Sequence, residues 1–483
     1  MATEKYGVYA QLVKSLANTP VSTDTNVIFI GASPSGDLNT AHLITSMSDY
    51  AEKLDGEPGD GYNLSEAAVA AFSVAGIDKV YMIPVSHSTD FTAADYLGDA
   101  SLFTGVYAIE NLLRENPTTV NILCAPSVTD ASVIAALNTI AKKADGHWVS
   151  FMVYDLPVNA SHVNANNVIQ PDAIVADKQL NDELADAVWG VVKTSGGYDV
   201  SGAAIRACMM AKSDADYGVP ARCGGNLAVS GMVGVVIPAS SKSNTSAGWS
   251  TDDAGEVINN LPTSGGSTYT WKEGCEYVIT DIYGQNISDD RKLVNNSGKV
   301  ALKYHSTNEQ SHYVMVEHVT FNEITPDKTV KLRESDGTSL SADGVCSWIN
   351  YGGGNWHTWG DHTSAFSAGS VSDERARFDS NIRVLIMLTN RFQLKYRFSI
   401  DDPMTLTMRN DVIQEENDYL TYLKSIGALI GDATCSFKAT DNPADNIALG
   451  QFVWSIEATV TPPLKYAQLN VAYSQAGLSV YYQ

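Results

Sequence analysis

Four short apolar runs, "NVIFIGA", "KVYMIPV", "TVNILCAP" and "HWVSFMVYDLP", alternate in the first third of this chain with segments of helical periodicity. Each is too short for a buried helix and too continuously apolar for a strand with one wet face. Each therefore reads as a strand covered on both sides. The intervening segments carry their own end signals. "NLSEAAVAAFSVAG" offers Asn63 as N-cap, Glu66 three residues on and Gly76 as the stop. "TDASVIAALNTIAKKADG" begins at Asp130, ends at Gly146 and puts Lys142 and Lys143 in its last turn, where they favour the helix dipole. "SLFTGVYAIENLLREN" is amphipathic. Roughly 40 residues per strand-plus-helix suit right-handed βαβ crossovers, so residues 25–239 predict an α/β sheet covered by helices. Within them "DKQLNDELADAVWGVVKT" predicts a helix and a further strand, and "SGAAIRACMMAKSD" a buried helix rich in small residues.

The pattern changes at residue 240. "CEYVITDIYG", "KVALKYH" and "HYVMVEHVTF" are strand-like runs separated by turn residues, so residues 240–345 predict a β-rich insertion. Residues 346–463 predict an α+β domain. "SNIRVLIMLTNRFQLKYRFS" holds one long helix or two joined ones. A second helix is expected after Asp402, with Pro403 at its first position and Gly427 closing it. Leu406, Val412, Ile413, Tyr419, Leu420, Leu423 and Ile426 form its apolar face. Asp411, Gln414, Glu415 and Asp418 form the other, which by default is a solvated surface. "QFVWSIEATVTPP" is a strand halted by Pro462 and Pro463.

Both ends of the chain read as extended arms. Residues 1–24 carry the alternating piece "EKYGVYAQLVKS", centred on Tyr6, Val8 and Ala10. Residues 464–483 end in "AQLNVAYSQAGLSVYYQ". There Leu469, Val471 and Tyr473, then Leu478, Val480 and Tyr482, alternate with smaller or polar neighbours, which predicts strand. An apolar strand beyond a proline stop is stable only when it pairs with something, and unpaired it is an aggregation hazard.

Composition narrows the function classes. The chain has 483 residues, 44 % hydrophobic and 18 % charged, which suits two to four globular domains. A formal net charge of −24 disfavours nucleic acid and anionic membrane, and suits solubility or a basic protein partner. Six cysteines without a C-x-x-C read as reduced and structural. The N-terminus has no apolar signal core, and no run is long enough to span a bilayer, so neither signal-directed secretion nor membrane insertion is expected.

Catalytic chemistry finds little support. "GASPSGD" (Gly31–Asp37) follows a strand as a phosphate loop does, but lacks the lysine and glycine positions that cradle phosphate. "WHTWGDH" brings His357, Asp361 and His362 together without the further ligand a metal needs. "KSDADYG", with Asp214 and Asp216, lacks the bidentate Glu of a calcium loop and reads as a helix end. There is no G-x-S-x-G elbow. No catalytic, cofactor-binding or metal-ligating residues are therefore expected. An α/β nucleotide- or sugar-binding enzyme stays open as the alternative, and an unrelated self-assembling surface protein as a third reading.

Several segments together resemble the tail sheath proteins of contractile-tailed bacteriophages and related contractile injection particles. "GGNWHTWGDHT" is similar to the family's Trp-Gly-x-x-Thr segment, here Trp359, Gly360 and Thr363. "DDPMTLTMRNDVIQEENDYLTYLKSIGALIGDATCSF" and "FVWSIEATVTPPLKYAQLNV" are similar to the family's helix and to its strand with outgoing arm. Upstream, "GVYAQLVKSLANTPVSTDTNVIFIG", "VNILCAPSVTDASVIAALNTIAKKADGHWVSFM" and "SGAAIRACMMAKSDADYGVPARCGGNLAVSGMVGV" follow in family order. The likeness departs at residues 240–345, which are longer. The resemblance implies a structural subunit that polymerises helically around an inner tube and contracts, with baseplate and tail-terminator proteins as further partners. It implies assembly in the bacterial host cytoplasm into a virion or phage-like particle tail. It also implies an outer α/β domain with a peripheral insertion, and an inner C-terminal domain that carries the arms. Strands donated to neighbours, from Tyr6, Val8 and Ala10 and from Leu469–Tyr482, would link subunits by β-augmentation. The acidic face from Asp411 to Asp418 would turn toward the tube.

Overall fold

The computed structural model describes residues 25–144, 146–164, 168–237, 330, 332 and 334–482, together with the backbone of the strands between 240 and 329. The N-terminal arm with Tyr6, Val8 and Ala10 lies outside the described residues. A nine-stranded sheet organises the first part. Its order is His42–Ile44, Val80–Ser86, Asn26–Ala32, Asn121–Cys124, Phe151–Asp155, Ala185–Val188, Val345–Asn350, Trp356–Trp359 and Ala228–Val229. The six strands from Val80–Ser86 to Val345–Asn350 pair in parallel, and antiparallel strands close both sides. Asn26–Ala32 is buried at every residue, as its unbroken apolar run requires. The helix Gly202–Tyr217 packs across the strands Asn26–Ala32, Asn121–Cys124 and Phe151–Asp155, and its small residues allow the close approach. Asp130 caps Ala131–Lys143 by accepting from the Ser132 and Val133 amides.

The sheet does not stop near 346, where the sequence suggested a domain boundary. Val345–Asn350 pairs with Ala185–Val188, so residues through Trp359 belong to the α/β body. Between 240 and 329 the backbone forms antiparallel strands, including Ser240–Ala247 against His318–Thr325 and Arg291–Asn296 against Lys299–His305. The last part holds two helices, Asp379–Tyr396 and Leu406–Ser425, and the hairpin of Leu429–Ser436 with Ser455–Val460.

Four local expectations need correction. Asn63 does not cap its helix: Tyr62 stands at the cap, and the Asn63 side chain turns into the core. No helix covers 177–184; the Asp182 carboxylate bonds the Leu184 amide in a local turn, and two strands, Ala185–Val188 and Val191–Thr194, follow. The acidic helix starts later than Pro403, because Thr405 caps it through the Met408 amide. The C-terminal arm is not strand. Residues 461–474 have no regular structure and Gln475–Tyr482 is a 3₁₀ helix. A strand needs an edge to pair with, and the arm pairs with no strand among the described residues.

Candidate assembly site

The acidic helix divides as its sequence implies, except that Leu406 and Ile426, at the two ends of the apolar face, are exposed. Val412, Leu420 and Leu423 are buried. Asp411, Gln414, Glu415 and Asp418 lie together on the exposed side. Lys395 approaches Glu415 at 2.6 Å, and the Tyr396 hydroxyl donates to it at 3.0 Å. Those bonds, with Lys395 the larger influence, hold the Glu415 carboxyl below the ordinary range. Gln414 donates to Asp418 at 3.2 Å. Asp411 and Asp418 have no ion-pair partner among the described residues, so they are the outward negative charge of this face. Sequence reasoning missed Glu416, which is buried and pairs with Arg391 at 2.5 Å.

The hairpin has one closed edge and one open one. At Cys435 the backbone amide donates to Asn417 Oδ1 at 2.8 Å, and Asn417 Nδ2 donates back to the Cys435 carbonyl at 3.2 Å. The Asn417 amide thus takes the place of a neighbouring strand on the outer side of Leu429–Ser436. Further along that strand, the register breaks between Ile430 and Thr434. Cys435 stands opposite Ile456. Because the Cys435 backbone groups point outward, those of Ile456 point outward on the opposite side, and Ala458 follows by the period of two. The hairpin has no third strand among the described residues, so Ser455–Val460 presents its outer edge unpaired.

The arm leaves from this edge. The Thr461 amide donates to the Ala428 carbonyl at 3.1 Å, and Pro462 and Pro463 follow. Lys465 then pairs with the nearly buried carboxylate of Asp361. A cavity of about 920 Å³ lies here, with Arg222, Trp359, Phe366 and Pro463 in its wall. Beyond Lys465 the arm is exposed: Leu469, Val471 and Tyr473 are 86, 83 and 79 % accessible, and Leu478 and Val480 are exposed as well. Nothing is described of the Tyr482 side chain. The neighbouring His362 stacks on Phe366 at 3.8 Å, and its Nδ1 lies 2.6 Å from the Arg377 carbonyl oxygen. Burial lowers its pKa. Among the described residues no group of three or more His, Cys, Asp or Glu is placed to hold a metal, and no helix is long and apolar enough to cross a membrane.

The crevice where an α/β sheet ordinarily binds ligand is filled. The connections out of Asn26–Ala32 and Asn121–Cys124 run to opposite sides of the sheet, and a ligand would sit beyond their carboxyl ends. Asn63 occupies that place. The Ala32 amide donates to its Oδ1 at 2.6 Å, and its Nδ2 donates to the Tyr96 hydroxyl at 2.7 Å and the Pro126 carbonyl at 2.9 Å. A Cβ on Gly31 would stand 2.4 Å from Asn63 Oδ1, which explains the glycine in "GASPSGD" without a phosphate.

A buried ionic seam joins the sheet to the C-terminal helices. Arg206 pairs with Asp186 at 2.7 Å and Asp379 at 2.9 Å, and donates to the Gly224 and Gly360 carbonyls at 3.0 Å. Arg383 pairs with Asp214 at 2.5 Å and lies 3.8 Å from Asp379. The Gly224 amide donates to Asp379 at 2.7 Å, and a Cβ there would come within 2.9 Å of both Arg206 and Asp379. The sequence signal was an arginine inside "SGAAIRACMMAKSD", a run otherwise fit only for a core.

Residues 371–473 match the phage tail sheath C-terminal domain family. A stretch of 141 residues is 26 % identical to the tail sheath protein of Escherichia phage P2, covering 29 % of this chain and 33 % of that one. The match thus spans about a third of that relative's length. Among solved structures, a chain of the anti-feeding prophage baseplate superposes with a TM-score of 0.58 at 14 % identity, covering 98 % of this chain and 100 % of that one. The contracted sheath complex of the extracellular contractile injection system PVC gives 0.56 at 13 % identity, over 99 % of both chains. The contracted helical sheath of the anti-feeding prophage gives 0.54 at 15 %, over 98 % of this chain and 100 % of that one. The fold is similar to that of chains from contractile sheath and baseplate assemblies. Over residues 371–473 the likeness is narrower, to the C-terminal domain of phage tail sheaths.

Proposed function

We propose that this chain is the structural subunit of a contractile tail sheath, which polymerises helically around an inner tube and contracts to drive that tube through a cell envelope. One observation carries the reading: an exposed, alternating apolar arm leaves the body beside an unpaired strand edge. In this reading Leu469, Val471 and Tyr473, or Leu478, Val480 and Tyr482, add as a strand to Ser455–Val460 of a second copy. The arm of Tyr6, Val8 and Ala10 acts likewise. A contact in which each copy gives to the next does not close on itself, so it generates a filament. The partners are then the chain itself, a tube protein, and baseplate and tail-terminator proteins. The setting is the tail of a virion or phage-like particle assembled in the host cytoplasm, with residues 240–345 outermost. No cofactor is required. The alternative, a nucleotide- or sugar-binding enzyme, is disfavoured by Asn63 in the ligand crevice. Negative-stain microscopy of the purified full chain tests the proposal. Tubes or helical polymers are expected; discrete particles at every salt concentration would refute it.

The acidic face is proposed to meet a basic strip of the tube. Exposed ion pairs are each worth ~0–1 kcal/mol, as a surface that must slide or release requires. Lys395 already neutralises Glu415, so Asp411 and Asp418 are the positions to reverse. Asp411→Lys with Asp418→Lys should reduce tube-templated assembly at low salt and matter little at high salt. Unchanged assembly at low salt would mean that the helix faces elsewhere.

A further inference from the structure

The charges of the seam do not balance. Asp186, Asp214 and Asp379 are three buried carboxylates, and Arg206 and Arg383 are the two guanidiniums that pair with them. A net negative charge left in a site without water contact is costly, and binding a proton removes it. We propose that Asp186 holds a proton in the folded chain near neutral pH, and that losing it weakens the junction between the sheet and the C-terminal helices. Hydrogen bonds and ion pairs taken together single out Asp186, the carboxylate with one guanidinium and no amide or hydroxyl donor. Asp214 is bound on both oxygens, by Arg383 at 2.5 Å and by the Thr25 hydroxyl at 3.0 Å. Asp379 Oδ2 accepts from Arg206 and from the Gly224 amide; its Oδ1, like that of Asp186, accepts no hydrogen bond among the described residues, but Arg383 lies 3.8 Å from it. Asp186 Oδ2 is served by Arg206 alone, and its buried Oδ1 has no hydrogen-bond partner among the described residues.

The groups around the site do not supply the missing charge. Arg206 faces Asp186 from its helix, Asp379 and Arg383 from the long helix, Cys346 from Val345–Asn350 and Tyr154 from Phe151–Asp155. Burial raises the pKa of Cys346 and of Tyr154, so both stay neutral. Asp361 and Cys223 face Asp379 from the other side; Asp361 is paired with Lys465, and burial raises the Cys223 thiol. Burial, opposed by Arg206 and reinforced by Asp379, pushes Asp186 up to about 7. The sign follows. A carboxyl whose folded-state pKa is raised contributes stability that is complete below its unfolded value near 4 and is lost as pH rises through about 7. Where the folded chain holds that one extra proton, the folding equilibrium falls by about tenfold per pH unit.

The experiment compares melting temperature against pH, from 5 to 9, for the full chain and Asp186→Asn. The variant should lose the decline between pH 5 and about 7 and melt higher than the parent at pH 9. Glu66, pushed to about 7 chiefly by burial, titrates in the same range, so Glu66→Gln serves as control and its effect should add to that of Asp186→Asn. Infrared spectra of chain labelled with carboxyl-¹³C aspartate give a second readout that excludes Glu66. A protonated aspartic acid band is expected at pH 6, absent at pH 9 and absent in Asp186→Asn. The proposal is overturned by an unchanged pH slope in the variant, by no such band at pH 6, or by a band that persists without Asp186. If Asp186→Asn does not fold, the spectrum of the parent chain still decides.

Discussion

A chain ending at Gln468 is expected to remain soluble and to melt cooperatively, yet to form no tubes. Deletion of Leu469–Gln483 removes side chains that, as far as Tyr481, are already in solvent, so the folded body should lose almost nothing. Assembly loses a great deal. A donated strand brings several backbone hydrogen bonds, each worth a net ~0.5–1.5 kcal/mol. It also buries apolar side chains at ~1.5–3 kcal/mol each when fully covered. Ordering the arm costs part of this, at ~1–2 kcal/mol per residue, but the remainder still decides whether copies associate. A companion substitution examines the receiving side. Ala458→Pro takes away an outward amide of Ser455–Val460 and none of the bonds within the hairpin, so it should block assembly in a chain that still folds. Tubes of normal length from the truncated chain, or failure of that chain to fold, would place the arm within its own subunit.

The second large effect belongs to Asp379. Asp379→Ala is expected to destabilise the chain by about 3–5 kcal/mol, because it leaves buried guanidiniums without their shared partner. The Gly224 amide also loses its acceptor. Damage should concentrate at the junction, so amide exchange should rise most in Gly202–Tyr217, Asp379–Tyr396 and the 222–226 loop. A melting temperature within a degree of the parent would show that the seam relaxes around the loss.

The sequence was legible where one residue's chemistry has one outcome. Asn26–Ala32 can only be a doubly covered strand, Asp130 caps its helix, and Gly76 ends its helix in a left-handed conformation. It was illegible where distant residues choose each other. Asn63 carries every mark of a cap, yet the gap beyond Ala32 and Pro126 claims its amide. Asp186, Arg206 and Asp379 are far apart in sequence, and only the arginine among small residues hinted at a buried partner. At the assembly site the exposed acidic face and the apolar arm were both readable. Glu416 and Asn417 were not, because helical spacing alone does not say which polar residue will meet a backbone or an arginine. The arm's conformation was misread for a simpler reason. Alternation describes what a segment becomes against an edge, and in one copy this segment pairs with no strand among the described residues.

Asn417 gives the hairpin a valence. An ordinary two-stranded ribbon could bind on either flank, so its polymers could branch, or grow with either polarity. With one flank stoppered by a side-chain amide, each copy in the proposed polymer would take a strand on one flank only. In that proposed assembly, links made under the restriction would share a single orientation. A tensile pull at one end would then be relayed through bonds of the same orientation, as in a knitted fabric whose stitches all face one way.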